Sequence, residues 1–341
     1  MEDGIAAAKA QILSIGRVYV EPGTDVPRTF SRSTAGPDTG ERALVLGFND
    51  TRAKLFVSRD QSTPLHLDAD HTLTLDGRAL LSNVRIEPIL LHCPGQAFVN
   101  LSASCIYSCA FCTASQTPRH LALQLTEERI IEAVLRAAHH PGIHAVALTS
   151  AVTHSPHASF RKMLRALVRL RNALPDIPIG VEIYITEPGW VDMLREAGAD
   201  EIKLNVETAT PEIFQMVCSG RDRDMILRAL ERAVSSFGEG KVTSNIIFGL
   251  GEDDEEVLAC AESLMEIGVV PNLRALRISG ANSEKLQKAL GFRPTPPPPS
   301  RLLSLAMGAK LLLSKHRLST RSFDTMCFPC KCCDLVPFSD L

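Results

Sequence analysis

From residue 97 onward, short strand-like runs alternate with amphipathic helical stretches. Between the first two runs, Thr126 can cap a helix that carries Glu127 and Glu128 in its first turn. The apolar face of that predicted helix consists of Ile130, Ile131, Val134, Leu135 and Ala138. Six runs are predicted as strands, at residues 98–101, 145–149, 179–185, 201–206, 244–248 and 273–278. The alternation predicts an α/β protein with a parallel sheet, and six βα units favour an open or partial (β/α)6 TIM-like barrel.

Two further units are predicted on either side of the barrel, which covers residues 93–293. Residues 1–92 are predicted as a small β-rich α+β unit, with a helical stretch followed by short alternating runs. Packing or dimerisation is the plain interpretation of this unit. The proline run at 294–299 cannot continue a helix and marks a boundary. Residues 294–341 are therefore predicted as a C-terminal helix at 301–316 and a cysteine-rich extension.

Charge and composition argue against several classes of partner, although a local basic patch stays open. The 341-residue chain has a formal net charge of −3, so it lacks the basic footprint typical of nucleic-acid binding. It has no apolar run of membrane-spanning length, and acidic residues stand near its N-terminus where a signal peptide carries basic ones. We therefore expect a cytoplasmic protein with neither membrane nor nucleic acid as partner. Ten cysteines in such a chain indicate metal or redox chemistry more than disulfides.

Three cysteines follow the first predicted strand in the segment Cys105-Ile-Tyr-Ser-Cys109-Ala-Phe-Cys112. In a strand-to-helix loop, three thiolates at this spacing can converge on one iron–sulfur cluster. Cubane clusters usually take four cysteine ligands, so three would leave one iron open. The alternative is a set of buried or zinc-binding cysteines. Zinc sites usually add a second CxxC pair or histidines, and no such partner lies nearby in the sequence.

This CxxxCxxC segment resembles the signature of the radical S-adenosylmethionine (SAM) superfamily. The resemblance implies a [4Fe-4S] cluster on Cys105, Cys109 and Cys112, which would also be the catalytic residues. It further implies that the open iron binds the amino and carboxylate groups of SAM, and that SAM is cleaved to a 5′-deoxyadenosyl radical. The aromatic residue before the last cysteine, Phe111, would lie near the adenine.

Later segments resemble the biotin synthase and lipoyl synthase branch of that superfamily. By this resemblance, Thr149 and Ser150 would contact the amino end of SAM, while Asn205 and Glu207 would bind its ribose. The segment Cys-Ser-Gly-Arg-Asp-Arg resembles the basic loop that contacts SAM in these relatives, where a guanidinium matches a carboxylate, and Arg221 is the predicted contact in preference to Arg223. Gly249 and Gly251 would let the backbone pass close to adenine, although a plain turn is an equal interpretation of that motif.

A second cysteine group, Cys327, Cys330 and Cys333, forms CxxCxxC, with Cys332 beside it. An auxiliary [4Fe-4S] cluster is the leading interpretation and structural zinc the alternative. The remaining cysteines are isolated and are interpreted as small buried apolar residues: Cys93, Cys218 and Cys260. Three histidines have no ligand spacing to one another and are expected in loops or on the surface: His144, His154 and His157.

In bacterial lipoyl synthases the cysteines of the auxiliary cluster lie N-terminal to the radical SAM motif, and that N-terminal group is missing here. In this respect the chain is most similar to the archaeal two-component lipoyl synthases. That resemblance implies sulfur insertion from the auxiliary cluster into an unactivated C–H bond. The implied acceptor is an octanoyl group on a lysine of a lipoyl-domain or carrier protein. A sister radical SAM protein and a reductant such as ferredoxin or flavodoxin are the implied partners. Two alternatives stay open: a radical SAM enzyme that modifies a peptide or small molecule through an electron-relay cluster, and a non-catalytic metal-binding scaffold.

Overall fold

A computed structural model of the chain describes residues 2–26, 31–32, 42–89, 91–102, 104–116 and 126–341. Its N-terminal unit consists of one helix and a mostly antiparallel sheet in the order β2-β3-β4-β1-β5-β6-β7, with β8 on β3. The elements are α1 (Glu2–Ile15), β1 (Arg17–Val20), β2 (Ser31–Arg32), β3 (Arg42–Phe48), β4 (Thr51–Ser58), β5 (Leu65–Leu67), β6 (Leu73–Leu75), β7 (Arg78–Leu81) and β8 (Arg85–Glu87).

The second sheet is entirely parallel, in the order β9-β10-β11-β12-β14, with β13 and β15 also paired to β14. Its strands are β9 (Gln96–Asn100), β10 (Ala145–Thr149), β11 (Ile179–Glu182), β12 (Glu201–Lys203), β13 (Glu207–Thr208), β14 (Val242–Phe248) and β15 (Val270–Ala275). The helices are α2 (Glu127–Ala138), α3 (Pro156–Ala173), α4 (Trp190–Glu196), α5 (Pro211–Val217), α6 (Arg223–Phe237), α7 (Asp254–Glu266), α8 (Ser283–Leu290), α9 (Pro299–Lys315) and α10 (Cys327–Cys330).

Local sequence signals account for the helix starts. The Thr126 side chain accepts a hydrogen bond from the Arg129 amide at 3.3 Å and begins α2, whose Ile130, Ile131 and Val134 are buried. Asp253 and the third helical residue Glu256 form a reciprocal capping box at the start of α7. Such caps fix where each helix leaves its loop, and hence the loops that follow the strands.

The fourth predicted strand, 201–206, is interrupted in the structure. β12 and β13 both pair with β14, and residues 204–206 between them leave the regular ladder. Glu207, the first residue of β13, has a φ of 66°, an uncommon value for a residue other than glycine. The last strand begins at Val270, three residues before its predicted start, and includes Pro271. Proline fits there because β15 pairs only with β14 among the described residues, so the missing N–H interrupts no second ladder.

The segment after α9 covers the N-terminal ends of the parallel strands. Gln96 at the start of β9 exchanges two hydrogen bonds with the Met326 backbone, at 2.7 and 2.8 Å. Glu201 at the start of β12 accepts from the Thr325 amide at 2.9 Å. This cysteine-rich tail therefore closes the end of the barrel opposite the loops that follow the strands. In the part of the chain that the structure describes, no helix has the length and apolar character needed to cross a membrane.

Candidate functional site

A cavity of about 320 Å³ lies inside the barrel, and both cysteine groups line it. Cys105, Cys109 and Cys112 approach from the loop after β9, at the C-terminal ends of the strands. The second group approaches from the tail at the opposite end, through the side chains of Cys327, Cys330 and Cys333. The sequence predicted two separate clusters, and the structure places both sets of thiols on one cavity.

Backbone hydrogen bonds hold the first cysteine loop to its neighbours. The Ile106 amide donates to the Val152 carbonyl at 2.7 Å, in the loop after β10. The Ala110 amide donates to the Val217 carbonyl at 2.7 Å, at the end of α5. Residues on both sides of Cys109 are thus anchored to different elements of the barrel.

Two thiols of this loop, Cys109 and Cys112, have different environments. A hydrogen bond with the Cys218 thiol, with help from the nearby Arg221 guanidinium, lowers the pKa of Cys109. Burial raises the pKa of Cys112 to about 11, although the Ala114 amide points at its sulfur from 3.5 Å. Cys218 is buried, as predicted for an isolated cysteine, but it lies against Cys109 and is absent from the cavity wall.

Glu207 and Arg221 form a buried ion pair on the cavity wall, with Nη1 of Arg221 2.6 Å from Oε1 of Glu207. The Arg221 guanidinium also lies over the Tyr184 ring, 4.7 Å from its centroid. Burial raises the pKa of Glu207, and Arg221 opposes that rise. Glu207 lines the cavity, where a hydroxyl-bearing ligand can reach its carboxylate. Arg223, the rejected candidate, does not line the cavity.

Asn205 lies in the interruption between β12 and β13 and is fixed on both sides of its amide. Its Nδ2 donates to Oε1 of Glu182 at 2.8 Å, and its Oδ1 accepts from the Asn245 amide at 3.1 Å. The wall also includes the remaining predicted contacts of the strand-end loops, Phe111, Thr149 and Ser150. The geometry thus gathers most of the predicted SAM contacts around the first cysteine group, and their contact with SAM stays a prediction.

Gly249 and Gly251 do not line this cavity. Both have positive φ values, 102° and 119°, which favour glycine. A Cβ at Gly249 would lie 2.7 Å from Cγ of Pro297, and one at Gly251 would lie 3.2 Å from the Phe292 ring. In this structure, close approach to Pro297 and Phe292 is a sufficient reason for glycine at these positions. Their approach to adenine stays a prediction.

At the other end of the cavity, two cations contact Cys327. Nζ of Lys203 lies 3.2 Å from its sulfur, and Nη2 of Arg274 lies 3.5 Å away. Arg274 is itself held by Asp334 at 2.6 Å. Burial raises the pKa of Cys327, while Lys203 and Arg274 act in the opposite direction. The pair of cations is suited to an anionic sulfur ligand.

Several residues of the wall were not predicted from the sequence. Glu182, Tyr184 and Arg277 stand at or just beyond the ends of β11 and β15, where the barrel rule expects reactive groups, so strand ends were the available signal. Lys203 is the last residue of β12 and has the same signal, whereas Arg274 lies inside β15 and has none. Lys54 and Phe56 come from β4 of the N-terminal sheet, and no local pattern predicts their place on the wall.

The donor set fits a polynuclear cluster better than a single ion. Among the described residues, no group of three or more His, Cys, Asp or Glu side chains is arranged to hold one metal ion. In an iron–sulfur cluster, by contrast, separate thiolates bind separate irons. Two buried guanidinium nitrogens on the wall, Nε of Arg221 and Nη2 of Arg277, have no hydrogen-bond partner within the described ranges. They can donate to a carboxylate such as that of SAM.

The predicted contact between Glu207 and the ribose of SAM can be tested by removing the charge of the Glu207 carboxylate. Glu207→Gln keeps the shape of the side chain but removes its charge, so hydrogen bonds from ribose hydroxyls should weaken. We expect SAM to bind about tenfold to a hundredfold more weakly, because a hydrogen bond to a charged group contributes about 1.5–3 kcal/mol. Equilibrium binding of SAM measures the change. The exposed Glu212 on α5 provides the control variant, Glu212→Gln, and equal affinity in both variants would remove Glu207 from the ribose site.

Comparison with known proteins supports the same superfamily. Residues 99–264 match the family model described as the radical SAM superfamily. A biotin synthase from Desulforudis audaxviator is 30% identical over 177 residues, 51% of this chain and 52% of that protein. A Pyrococcus horikoshii protein described as "Probable GTP 3',8-cyclase" is 24% identical over 189 residues, 53% of this chain and 55% of that protein. The chain spans about half the length of these curated relatives.

Among solved structures, a methylornithine synthase aligns with a TM-score of 0.50 at 19% identity, covering 66% of this chain and 63% of that one. At this identity the similarity concerns the fold, and it agrees with the parallel strands of the second sheet. The predicted α/β fold with a partial barrel is confirmed. Residues 99–264 match the family model and a biotin synthase is among the relatives, so this part of the chain is a radical SAM domain.

Proposed function

We propose that this protein is a radical SAM enzyme that inserts sulfur from an auxiliary iron–sulfur cluster into an unactivated C–H bond. One observation carries the proposal: both groups of thiols line the same cavity, from opposite ends. A substrate carbon between them would have the SAM site on one side and a source of sulfur on the other. The biotin synthase relative supports this choice within the superfamily.

The triplet Cys105, Cys109 and Cys112 would hold the [4Fe-4S] cluster, and Cys327, Cys330 and Cys333 would hold the auxiliary one. When bound, and given one electron from the reductant, the first cluster would supply the reductive cleavage of SAM, the hydrogen taken from carbon would leave in 5′-deoxyadenosine, and the auxiliary cluster would supply the sulfur that replaces it. Glu207, Asn205 and Arg221 would orient SAM, each held by the contacts described above. The tail and the N-terminal sheet would exclude water from the reacting carbon.

The apolar part of the cavity wall supports the acceptor that we propose. Phe98, Ile183 and Leu276 line the cavity along with Phe56 from the N-terminal sheet. An aliphatic chain suits these side chains, and an octanoyl group on a lysine of a lipoyl-domain or carrier protein is the acceptor that we propose. A sister radical SAM protein and a ferredoxin- or flavodoxin-type reductant belong to the same proposal, together with a cytoplasmic location.

An assay with an octanoyl-lysyl peptide tests the acceptor. The reconstituted protein, SAM and a reductant should convert the peptide to a product that is heavier by one or two sulfur atoms, as read by mass spectrometry. A matched peptide that carries acetyl-lysine should stay unchanged, because its two-carbon acyl group is too short to reach the apolar side chains of the cavity wall. 5′-Deoxyadenosine without any gain of sulfur would contradict sulfur insertion and favour an enzyme whose auxiliary cluster only relays electrons.

A further inference from the structure

Cys93 was interpreted from the sequence as a lone buried cysteine, but the structure places it beside the second cysteine group. It is 2% exposed, and its side chain lies within hydrogen-bonding reach of the Cys330 sulfur. Both residues belong to one buried cluster that also contains Phe98 and Met326. A residue more than two hundred positions away in the chain thus completes a group of thiols.

Gln96 explains why the two segments meet. Cys93 forms an isolated β-bridge with Gln96, three residues later. The same Gln96 side chain exchanges its two hydrogen bonds with the backbone of Met326, which directly precedes Cys327. Gln96 is fully buried, so these bonds are shielded from water. The position of Cys93 relative to the tail is therefore set by a buried polar contact and is not left to a flexible end.

Cys332 is the competing candidate for a fourth thiol, because it belongs to the same buried cluster as Cys93 and also lies within hydrogen-bonding reach of Cys330. Of the two, Cys93 lines the cavity. The Cys332 sulfur donates to the Cys330 carbonyl at 3.3 Å, and Cys332 does not line the cavity. Cys332 also lies on a backbone contact, because its carbonyl accepts from the Lys54 amide at 2.8 Å. Four cysteines share the cavity wall at this end: Cys93, Cys327, Cys330 and Cys333.

The charges around these thiols suit thiolate ligands. Lys203 and Arg274 contact the Cys327 sulfur, and Lys54 donates to the His92 carbonyl at 2.9 Å, next to Cys93. Lys54 and Lys203 are almost fully buried. Buried cations are costly unless negative charge lies close to them. Thiolates bound to iron would supply that charge in addition to Asp334 and Glu182.

We propose that Cys93, Cys327, Cys330 and Cys333 together ligate the auxiliary [4Fe-4S] cluster, and that Cys332 has a structural role in the tail. This inference rests on the auxiliary cluster of the proposed function and names its ligand set. Four thiolates saturate such a cluster, so no iron there is left open for SAM. SAM then binds only at the triplet.

The experiment uses full-length protein in which Cys105, Cys109 and Cys112 are all replaced with alanine, so that only the auxiliary site can bind iron. This parent variant should contain about four irons per chain with matching acid-labile sulfide and an electron paramagnetic resonance (EPR) signal after reduction. Adding Cys93→Ser should lower the iron content or change the EPR signal. Adding Cys332→Ala or Cys260→Ala should change neither, and circular dichroism should show that all variants are folded.

Cys93→His serves as a second variant, because imidazole can replace thiolate on iron. It should keep the cluster but raise its reduction potential, whereas a purely structural role for Cys93 predicts no shift. If both Cys93 variants kept the iron content, EPR signal and reduction potential of the parent variant, Cys93 would not be a ligand. The auxiliary cluster itself would not be affected by that result. Loss of the cluster in Cys332→Ala, with retention in Cys93→Ser, would overturn the ligand assignment in favour of Cys332. Zinc or no metal in the parent variant would overturn the auxiliary cluster itself, and the assignment with it.

Discussion

Replacing Cys109 with alanine is expected to abolish the formation of 5′-deoxyadenosine and methionine from SAM under reducing conditions. Cys109 is the central thiol of the triplet, it is buried, and its loop is anchored on both sides. Two thiols cannot hold the cluster in place of three, so the iron content should also fall, from about eight to about four atoms per chain. Liquid chromatography of the nucleoside products and metal analysis measure the two effects.

Cys260→Ala is the matched control for this loss. Cys260 is also a buried cysteine, but it packs inside α7 and does not line the cavity. This variant should form 5′-deoxyadenosine at the wild-type rate. If Cys109→Ala were as active as Cys260→Ala, the triplet would not be the site of SAM cleavage. If the wild-type protein formed no nucleoside product, the non-catalytic scaffold would be favoured over an enzyme.

The second large effect concerns a buried ion pair that ties the tail to the N-terminal unit. Nζ of Lys9, a residue that is fully buried, lies 2.6 Å from Oδ2 of Asp340 and 2.7 Å from the Lys331 carbonyl. Lys9→Met would leave the Asp340 carboxylate buried without its cation. We expect the free energy of unfolding to fall by about 3–5 kcal/mol, as is typical when one partner of a buried pair is removed. Urea denaturation followed by circular dichroism measures it.

A double variant and a surface variant make this expectation specific. Lys9→Met combined with Asp340→Asn removes both charges, so it should be more stable than Lys9→Met alone. Lys315, which is largely exposed and pairs with Glu262, provides the surface comparison, and Lys315→Met should change the unfolding transition little. A Lys9→Met protein as stable as Lys315→Met would show that the buried pair does not hold the tail.

The sequence was sufficient for those parts of the fold that local patterns determine. Both ends of β10 were predicted correctly. A short, continuous apolar run in an α/β protein is typical of a parallel strand that is buried on both faces. The start of α2 followed from its Thr126 cap. The interruption of the fourth strand could not be predicted, because Glu207 has a positive φ and no glycine marks that position in the sequence.

The candidate site was predictable where its residues follow strands in order, and not where distant segments meet. The triplet and Asn205 stand at strand ends, so the barrel rule locates them. The position of the tail depends on contacts such as that between Gln96 and Met326, which are 230 residues apart. No periodicity or spacing contains that information. For this reason Cys93 seemed isolated in the sequence, although it lies beside Cys330.

The strand β4 gives the predicted boundary at residues 92 and 93 a different meaning. Its Lys54 and Phe56 stand on the cavity wall, and the Lys54 amide bonds to the Cys332 carbonyl. The N-terminal sheet thus contributes directly to the cavity wall and to the backbone contacts of the tail. A fragment that starts at the barrel would lack part of the cavity wall and the contact that β4 makes with the cysteine-rich tail. Transplanting the barrel into another scaffold would require this sheet to be transplanted with it.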